Sequence, residues 1–262
     1  MKNIYLVANW KSNKTVSESL EWIRNFKFQI SNFKLNDKII IILCAPFTIS
    51  AVLQEEITKL HLPIYVGAQN LSLFPSGPYT GEVSGEMLKG LATHCIVGHS
   101  ERRQNFGETN TIVNQKIFNT LEQSLVPIVC VGETLEEKEQ GLTEKIVEDQ
   151  LKGSLKNITK EQMSHILISY EPLWAISKGD GKGKTATPDD AEEMHIFIRD
   201  TLATMYPTEE RENFSILYGG SVNKDNVKSL MQKPNINGYL VGGASLDPEH
   251  FSKIIEAFSS YV

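Results

Sequence analysis

The 262-residue chain has few cysteines and no excess of positive charge. Its three cysteines, Cys44, Cys95 and Cys130, lie far apart in apolar stretches and form no CxxC pair. This pattern favours buried thiols in the reducing cytosol. The net charge of −6 argues against a broad nucleic-acid-binding face, which needs clustered lysine and arginine. A small anion could still bind at helix N-termini, because such a site needs no net positive charge.

Long apolar runs are also absent. The longest, residues 39–45, is far shorter than the roughly 20 residues that span a bilayer. The N-terminus becomes polar too soon for a signal peptide. We therefore expect a soluble cytoplasmic protein without a membrane partner.

Short apolar, β-branched runs recur along the chain and alternate with amphipathic segments. We predict strands at 4–9, 39–44, 64–68, 95–98, 127–131, 166–170, 215–219 and 238–241. Several are nearly all apolar, as strands of a parallel sheet buried on both faces are. Helix starts are predicted at Thr15, with Glu18 at capping-box spacing, and at Thr187-Pro188. The alternation predicts an α/β fold, a (β/α)8 barrel rather than an open doubly wound sheet, and the lack of a long linker predicts a single domain over 1–262.

The sixth predicted strand ends in a carboxylate, Glu171, followed by Pro172 and then by a segment rich in glycine and lysine. Chemistry at a strand end beneath a loop that can close is a recurring enzyme arrangement. A carboxylate that loses water under such a lid should have a raised pKa, which would make it a stronger base. Glu171 is therefore the candidate catalytic base, although an isolated glutamate at a turn can also be a surface residue.

Two other strand ends carry candidate groups. His99 follows the fourth strand, and if Ser100 opens a helix the dipole would lower the pKa of the ring and keep its N–H as a neutral donor. Asn9 and Lys11 follow the first strand and could bring an amide and a cation into the barrel mouth. Cys130, which has no histidine close by in sequence, is better explained by packing than as a nucleophile.

The seventh and eighth strands are each followed by a Gly-Gly pair, 219–220 and 242–243. Paired glycines let backbone N–H groups approach an anion closely, and the loops after these two strands commonly bind phosphate in (β/α) barrels. We expect a phosphate site formed by Ser221, Gly242 and Gly243.

Taken together, these motifs resemble the triosephosphate isomerase family over essentially the whole chain. The resemblance is carried by residues 9–11, 67–70, 77–82, 98–103, 130–133, 170–176, 218–222 and 240–245, in the family's order and at nearly its spacing. It implies a homodimer that interconverts dihydroxyacetone phosphate and glyceraldehyde 3-phosphate in glycolysis and gluconeogenesis, without metal or cofactor.

The resemblance also implies a role for each site residue. Glu171 would move a proton between C1 and C2, and neutral His99 would polarise the carbonyl. Lys11 and Asn9 would hold the substrate and its developing charge. Glu101 would be the acid beside the histidine, with a less settled duty. Thr80 would lie at the tip of a dimer loop that reaches the partner subunit, and Ser12 replaces a larger apolar residue at that interface.

The lid is where the chain departs from the family it resembles. Eight residues separate Ile176 from Thr185, more than the family usually has. The hinges are intact, and they comprise Pro172, Leu173 and Trp174 on one side and Lys184, Thr185 and Ala186 on the other. Ser177 aligns with the residue whose N–H closes on the phosphate, but Gly179, Gly181 or Gly183 could substitute for it.

Two other functions are compatible with a barrel that binds phosphate. A different sugar-phosphate isomerase or a lyase would share the Gly-Gly loops but not the set Lys11, His99 and Glu171. A non-catalytic sensor of phosphorylated metabolites would have lost at least one of these residues, and none is lost.

Overall fold

A computed structural model describes residues 3–176, 186–207 and 209–259, and eight parallel strands in these ranges close into a barrel in chain order. The strands are β1 (Ile4–Asn9), β2 (Ile39–Ala45), β3 (Ile64–Ala68), β4 (His94–Val97), β5 (Val126–Val131), β6 (Leu167–Tyr170), β7 (Ser215–Tyr218) and β8 (Gly238–Val241). Each predicted strand agrees with an observed one to within one residue at either end. The (β/α)8 barrel is confirmed.

Helices connect the strands on the outside of the barrel. They are α1 (Val16–Ile30), α2 (Phe47–Lys59), α3 (Gly85–Leu88), α4 (Ser100–Phe106), α5 (Asn110–Glu122), α6 (Leu135–Glu139), α7 (Thr143–Ser154), α8 (Lys160–Met163), α9 (Pro188–Met205), α10 (Val227–Met231) and α11 (Pro248–Ser259). Short 3₁₀ turns lie at Leu173–Ala175, Arg211–Asn213 and Gly243–Ser245. In the described part of the chain, no helix combines the length and apolarity needed to cross a membrane.

Apolar side chains fill the barrel on both faces of its strands. The interior cluster contains Val7, Ile42, Cys44, Ile96, Ile128, Cys130, Leu167, Leu217 and Leu240. The outward-facing residues of the same strands pack against the helices in a second, larger cluster. Since both faces are buried, the strands read as near-continuous apolar runs, and this is why the sequence located them so closely.

The helix starts that flank the site follow from capping chemistry. Thr15 and Glu18 form a reciprocal capping box at α1. At α9 the Thr187 hydroxyl accepts from the Asp190 amide, the Asp190 carboxylate accepts from the Thr187 amide, and Pro188 occupies the first turn. Both predicted starts are confirmed, and the second fixes the chain just after the undescribed residues 177–185.

Two histidines outside the site make stability depend on pH. Burial lowers the pKa of His94 to about 4 and that of His195 to about 3, against 6.5 for an unperturbed histidine. The unfolded chain therefore binds protons on these side chains first as the pH falls below 6.5. Above pH 6.5 the free energy of unfolding should keep its full value. Below pH 6.5 we expect each of the two histidines to lower it by about 1.4 kcal/mol per pH unit.

Urea unfolding at pH 7.0 and 5.5 tests this expectation. His195→Gln should show a smaller loss between the two pH values than the parent, by about 1.4 kcal/mol per pH unit. His165→Gln, at an exposed position, should keep the parent's loss. If the parent and His195→Gln lost the same free energy of unfolding between the two pH values, His195 would not be a source of the pH dependence.

Candidate active site

A cavity of about 330 Å³ opens at the carboxyl ends of the strands. Its lining comprises Asn9, Lys11, His99, Glu171, Ile176, Gly219, Gly220, Ser221, Val222, Asn223, Leu240, Gly242, Gly243, Ala244 and His250. The cavity brings together the candidate base, the histidine, the cation and the Gly-Gly loops predicted from sequence. Ionisable side chains and glycine-rich backbone both line it.

Glu171 lies at the end of β6 with only 2% of its surface exposed. Its Oε2 accepts from the Ser100 amide at 3.0 Å, and its Oε1 lies 3.1 Å from His99 Nε2. Burial acts to raise the pKa of Glu171, but the His99 ring and the Ser100 amide outweigh it and the pKa is lowered. The prediction of a raised pKa is therefore wrong for this arrangement, because two donors that the sequence did not reveal hold the carboxylate.

His99 is the N-cap of α4, as predicted from the polar turn after β4. Its Nδ1 accepts from the Glu101 amide at 3.3 Å, so the geometry is that of a neutral ring protonated at Nε2. Burial lowers the pKa of His99, and the carboxylates of Glu171 and Glu101 raise it above the usual value. The expected lowering is not met. The Glu101 amide acts against this rise, since an imidazolium has no acceptor left for that hydrogen bond.

A glycine before the histidine makes this turn possible. Gly98 has φ of +67°, and a Cβ there would lie 2.7 Å from a side-chain carbon of Val113. Any other residue at this position would have a strained backbone and would clash with Val113. The chain can therefore turn from β4 directly into α4 with His99 facing the cavity.

Lys11 is held in an unusual backbone conformation at the cavity wall. Its φ is +52°, in the left-handed region that costs non-glycine residues roughly 1–3 kcal/mol. Asn9 Oδ1 accepts from the Lys11 amide at 3.0 Å, and Gln69 Nε2 donates to the Lys11 carbonyl at 2.9 Å. Lys11 Nζ forms an ion pair with Glu101 at 2.7 Å. Asn9 and Gln69 thus fix the backbone that aims the ammonium group.

The glycine-rich part of the cavity lining has room for a ligand against the backbone. A Cβ added at Gly243 would have no atom within 4 Å, and one at Gly242 would lie 3.5 Å from Lys11 Cε. The Ser221 amide donates to the Ala175 carbonyl at 3.1 Å, and Asn226 Nδ2 donates to the Ser221 carbonyl at 2.8 Å. The predicted phosphate-site residues therefore line one wall, and Lys11 borders that wall.

The segment predicted as the first hinge is anchored by Glu133, a residue without an assigned role in the sequence prediction. The Trp174 indole donates to Glu133 Oε1 at 2.6 Å, and the Leu173 amide donates to the Glu133 carbonyl at 3.0 Å. Tyr170 Oη donates to the same carboxylate at 3.1 Å. Burial raises the pKa of Glu133 against these donors. Its place two residues after an apolar strand was the available signal in the sequence.

The segment predicted as the second hinge is described only in part. Ser177, Gly179, Gly181, Gly183, Lys184 and Thr185 lie outside the described residues. Ala186, which follows them, packs against the main core cluster. Pro172 follows Glu171, and Leu173 and Trp174 begin the 3₁₀ turn.

Sequence reasoning also missed the contacts that Ser100 and Gly219 make with Glu171 and that Gln69 makes with Lys11. A Cβ at Gly219 would lie 2.8 Å from Glu171 Cγ. Any residue other than glycine would therefore displace the Glu171 side chain. All three occur inside motifs that the sequence singled out, but their roles depend on contacts between different strand ends.

In the described residues, no group of three or more His, Cys, Asp or Glu is placed to hold a metal ion.

The three cysteines are free and buried, as expected. Burial raises the pKa of the Cys130 thiol well above its usual value, with the Glu171 charge adding to the effect. A thiol of that kind is a poor nucleophile, which supports a packing role for Cys130.

Comparison with known proteins gives one consistent result. The family model described as triosephosphate isomerase matches residues 4–258. The triosephosphate isomerase of Endomicrobium trichonymphae is 45% identical over 98% of this chain and 99% of that protein. The triosephosphate isomerase of Clostridium botulinum is 43% identical over 97% and 99%, and that of Carboxydothermus hydrogenoformans is 42% identical over 98% and 99%.

Proposed function

This chain belongs to the triosephosphate isomerase family, and on that premise we propose that it interconverts dihydroxyacetone phosphate and D-glyceraldehyde 3-phosphate. The observation that carries the proposal is the Glu171–His99 pair, whose facing atoms are 3.1 Å apart in a cavity with a glycine-rich wall. A base and a donor side by side can act on the adjacent carbons and oxygens of a triose. The wall would hold the phosphate.

Glu171 is the proposed base. It takes a proton from C1 of dihydroxyacetone phosphate, the electron pair forms a C1–C2 double bond, and the C2 oxygen becomes negative. The His99 Nε2–H donates to that oxygen and then moves a proton between the two oxygens. Glu171 returns its proton to C2. When the His99 N–H donates to the substrate, Glu171 loses a hydrogen bond that lowers its pKa in the empty site. The carboxylate then becomes a stronger base.

Lys11 and Asn9 hold the substrate in this proposal. The ammonium group of Lys11 stabilises the developing negative charge, and its ion pair with Glu101 orients it while the site is empty. Glu101 contributes further through the amide that holds His99 in its neutral form. Asn9 positions the Lys11 amide and lines the cavity beside it.

We assign phosphate binding to Ser221, Gly242 and Gly243, with a further contact from Ser177 or one of the lid glycines. Backbone N–H groups at glycine-rich turns bind phosphate without net positive charge, which fits a chain of net charge −6. Residues 172–174 and 184–186 serve as the hinges of the lid. The three free thiols fit the reducing cytoplasm as the place of action.

A homodimer completes the proposal. Several exposed apolar side chains occur between the end of β2 and the end of α4, among them Phe47, Phe74, Tyr79, Met87 and Phe106. Phe74 and Tyr79 stack at 4.3 Å and stiffen the loop whose exposed tip carries Thr80. A second copy of the chain would cover this surface and receive Thr80. Sedimentation equilibrium should give twice the chain mass, and a monomer mass at micromolar concentration would contradict the dimer.

A coupled assay with glyceraldehyde 3-phosphate tests the activity. We expect rapid turnover in both directions without added metal or cofactor. Binding of a phosphorylated substrate analogue without turnover would support a sensor instead. Turnover of other sugar phosphates but not of the trioses would point to a different isomerase.

A further inference from the structure

Lys138 of α6 covers one face of the hinge tryptophan. Its Nζ lies 3.3 Å from the centroid of the Trp174 ring, and the indole N–H donates to Glu133. An ammonium over an indole face is a favourable contact, and tryptophan is the best aromatic partner for it. We propose that Lys138 is a positioning residue for the isomerisation, because it fixes Trp174 and thereby the 3₁₀ turn that joins the base to the phosphate loop. This inference rests on the proposed function.

The 3₁₀ turn Leu173–Ala175 lies between Glu171 and the contact with the Ser221 loop. On one side, the Glu171 amide donates to the Val131 carbonyl at 2.7 Å. On the other side, the Ala175 carbonyl accepts from the Ser221 amide at 3.1 Å. A rotation of Trp174 therefore disturbs the backbone that carries the base and the loop assigned to phosphate. Small displacements of reacting groups carry large rate penalties.

Helix α6 is a firm support for the lysine. Thr134 and Glu137 form a reciprocal capping box at its start, so the short helix is fixed next to Glu133. The Lys138 charge also favours the ionised form of Glu133, which is the acceptor for the Trp174 indole. Lys138 thus acts on Trp174 in two ways, directly over the ring and through the carboxylate at its edge.

The test compares Lys138→Met, which keeps the length of the side chain without its charge, with Lys138→Arg and with the matched control Lys145→Met at an exposed site on α7. We expect kcat/KM of Lys138→Met to fall about tenfold, mainly in kcat. Arginine should restore most of the activity, since it also binds over aromatic faces. Loss of charge steering alone would instead raise KM in a salt-dependent way and leave kcat unchanged.

Tryptophan fluorescence provides a readout independent of catalysis. Trp10 and Trp22 are 0% and 3% exposed, so acrylamide quenching reports mainly on half-buried Trp174. Quenching should increase in Lys138→Met and return in Lys138→Arg. Parent kcat and parent quenching in Lys138→Met would overturn the inference, and so would a fall in kcat that arginine does not restore. If the parent chain itself lacked isomerase activity, the proposed function would fail. The quenching experiment would still show whether Lys138 holds Trp174 in place.

Discussion

Glu171→Gln is expected to lower kcat by about 10²–10⁴-fold, the usual contribution of a positioned general base. The amide oxygen of glutamine can still accept from the Ser100 N–H, so the side chain should keep its place. A glutamine amide is too weak a base to take the C1 proton. The KM should change little, because the carboxylate contacts the reacting carbons and not the phosphate.

Steady-state kinetics in both directions, with the thermal unfolding midpoint as a check on folding, measure this effect. Glu55→Gln on α2 is the matched control, because it makes the same chemical change at an exposed site. Its kcat should equal that of the parent. A Glu171→Gln protein with near-parent turnover would remove Glu171 from the mechanism.

His99→Gln is expected to cost about 10²–10³-fold in kcat, the usual effect of removing a donor aimed at a developing oxyanion. Glutamine could offer an amide N–H near the same oxygen, but it cannot pass a proton between the two oxygens of the enediolate. The variant also loses the ring nitrogen that accepts from the Glu101 amide at the start of α4. Some loss of thermal stability should therefore accompany the loss of rate.

The two effects can be separated by comparison. His165→Gln removes an exposed histidine, and both its rate and its stability should match the parent. If His99→Gln lost stability but kept its kcat, His99 would be only a helix cap. The pH profile adds a second check. A His99 that is neutral in the enzyme–substrate complex contributes no ionisation of its own to kcat near pH 7, whereas its raised pKa in the empty site would appear only in kcat/KM.

The barrel was readable from the sequence because its strands are buried on both faces. The run at residues 39–44 has no polar side chain, so its position could be fixed without knowing its neighbours. The helix starts at Thr15 and Thr187 were readable because capping is local and joins residues three apart. Glu171, His99 and Lys11 were found because each stands at a strand end, where parallel strands bring their carboxyl ends together.

The pKa values could not be read in the same way. The pKa of Glu171 depends on donors from Ser100 and His99, about seventy residues away in sequence, and that of His99 on carboxylates from two elements. The anchoring by Glu133 likewise joins the strand ends of β5 and β6. Only the folded arrangement sets these distances, so sequence could name the residues but not the balance of their charges.

The most direct test of the central claim is isomerisation in D₂O, run to equilibrium and followed by NMR. If Glu171 transfers the proton through an enediolate, repeated passes will place one deuterium at C1 of dihydroxyacetone phosphate, because a single carboxylate reaches one face of the carbon. Glu171→Gln should incorporate almost none in the same time. Turnover by the parent without deuterium would indicate a hydride shift and contradict the account, as would incorporation at the parent rate in Glu171→Gln.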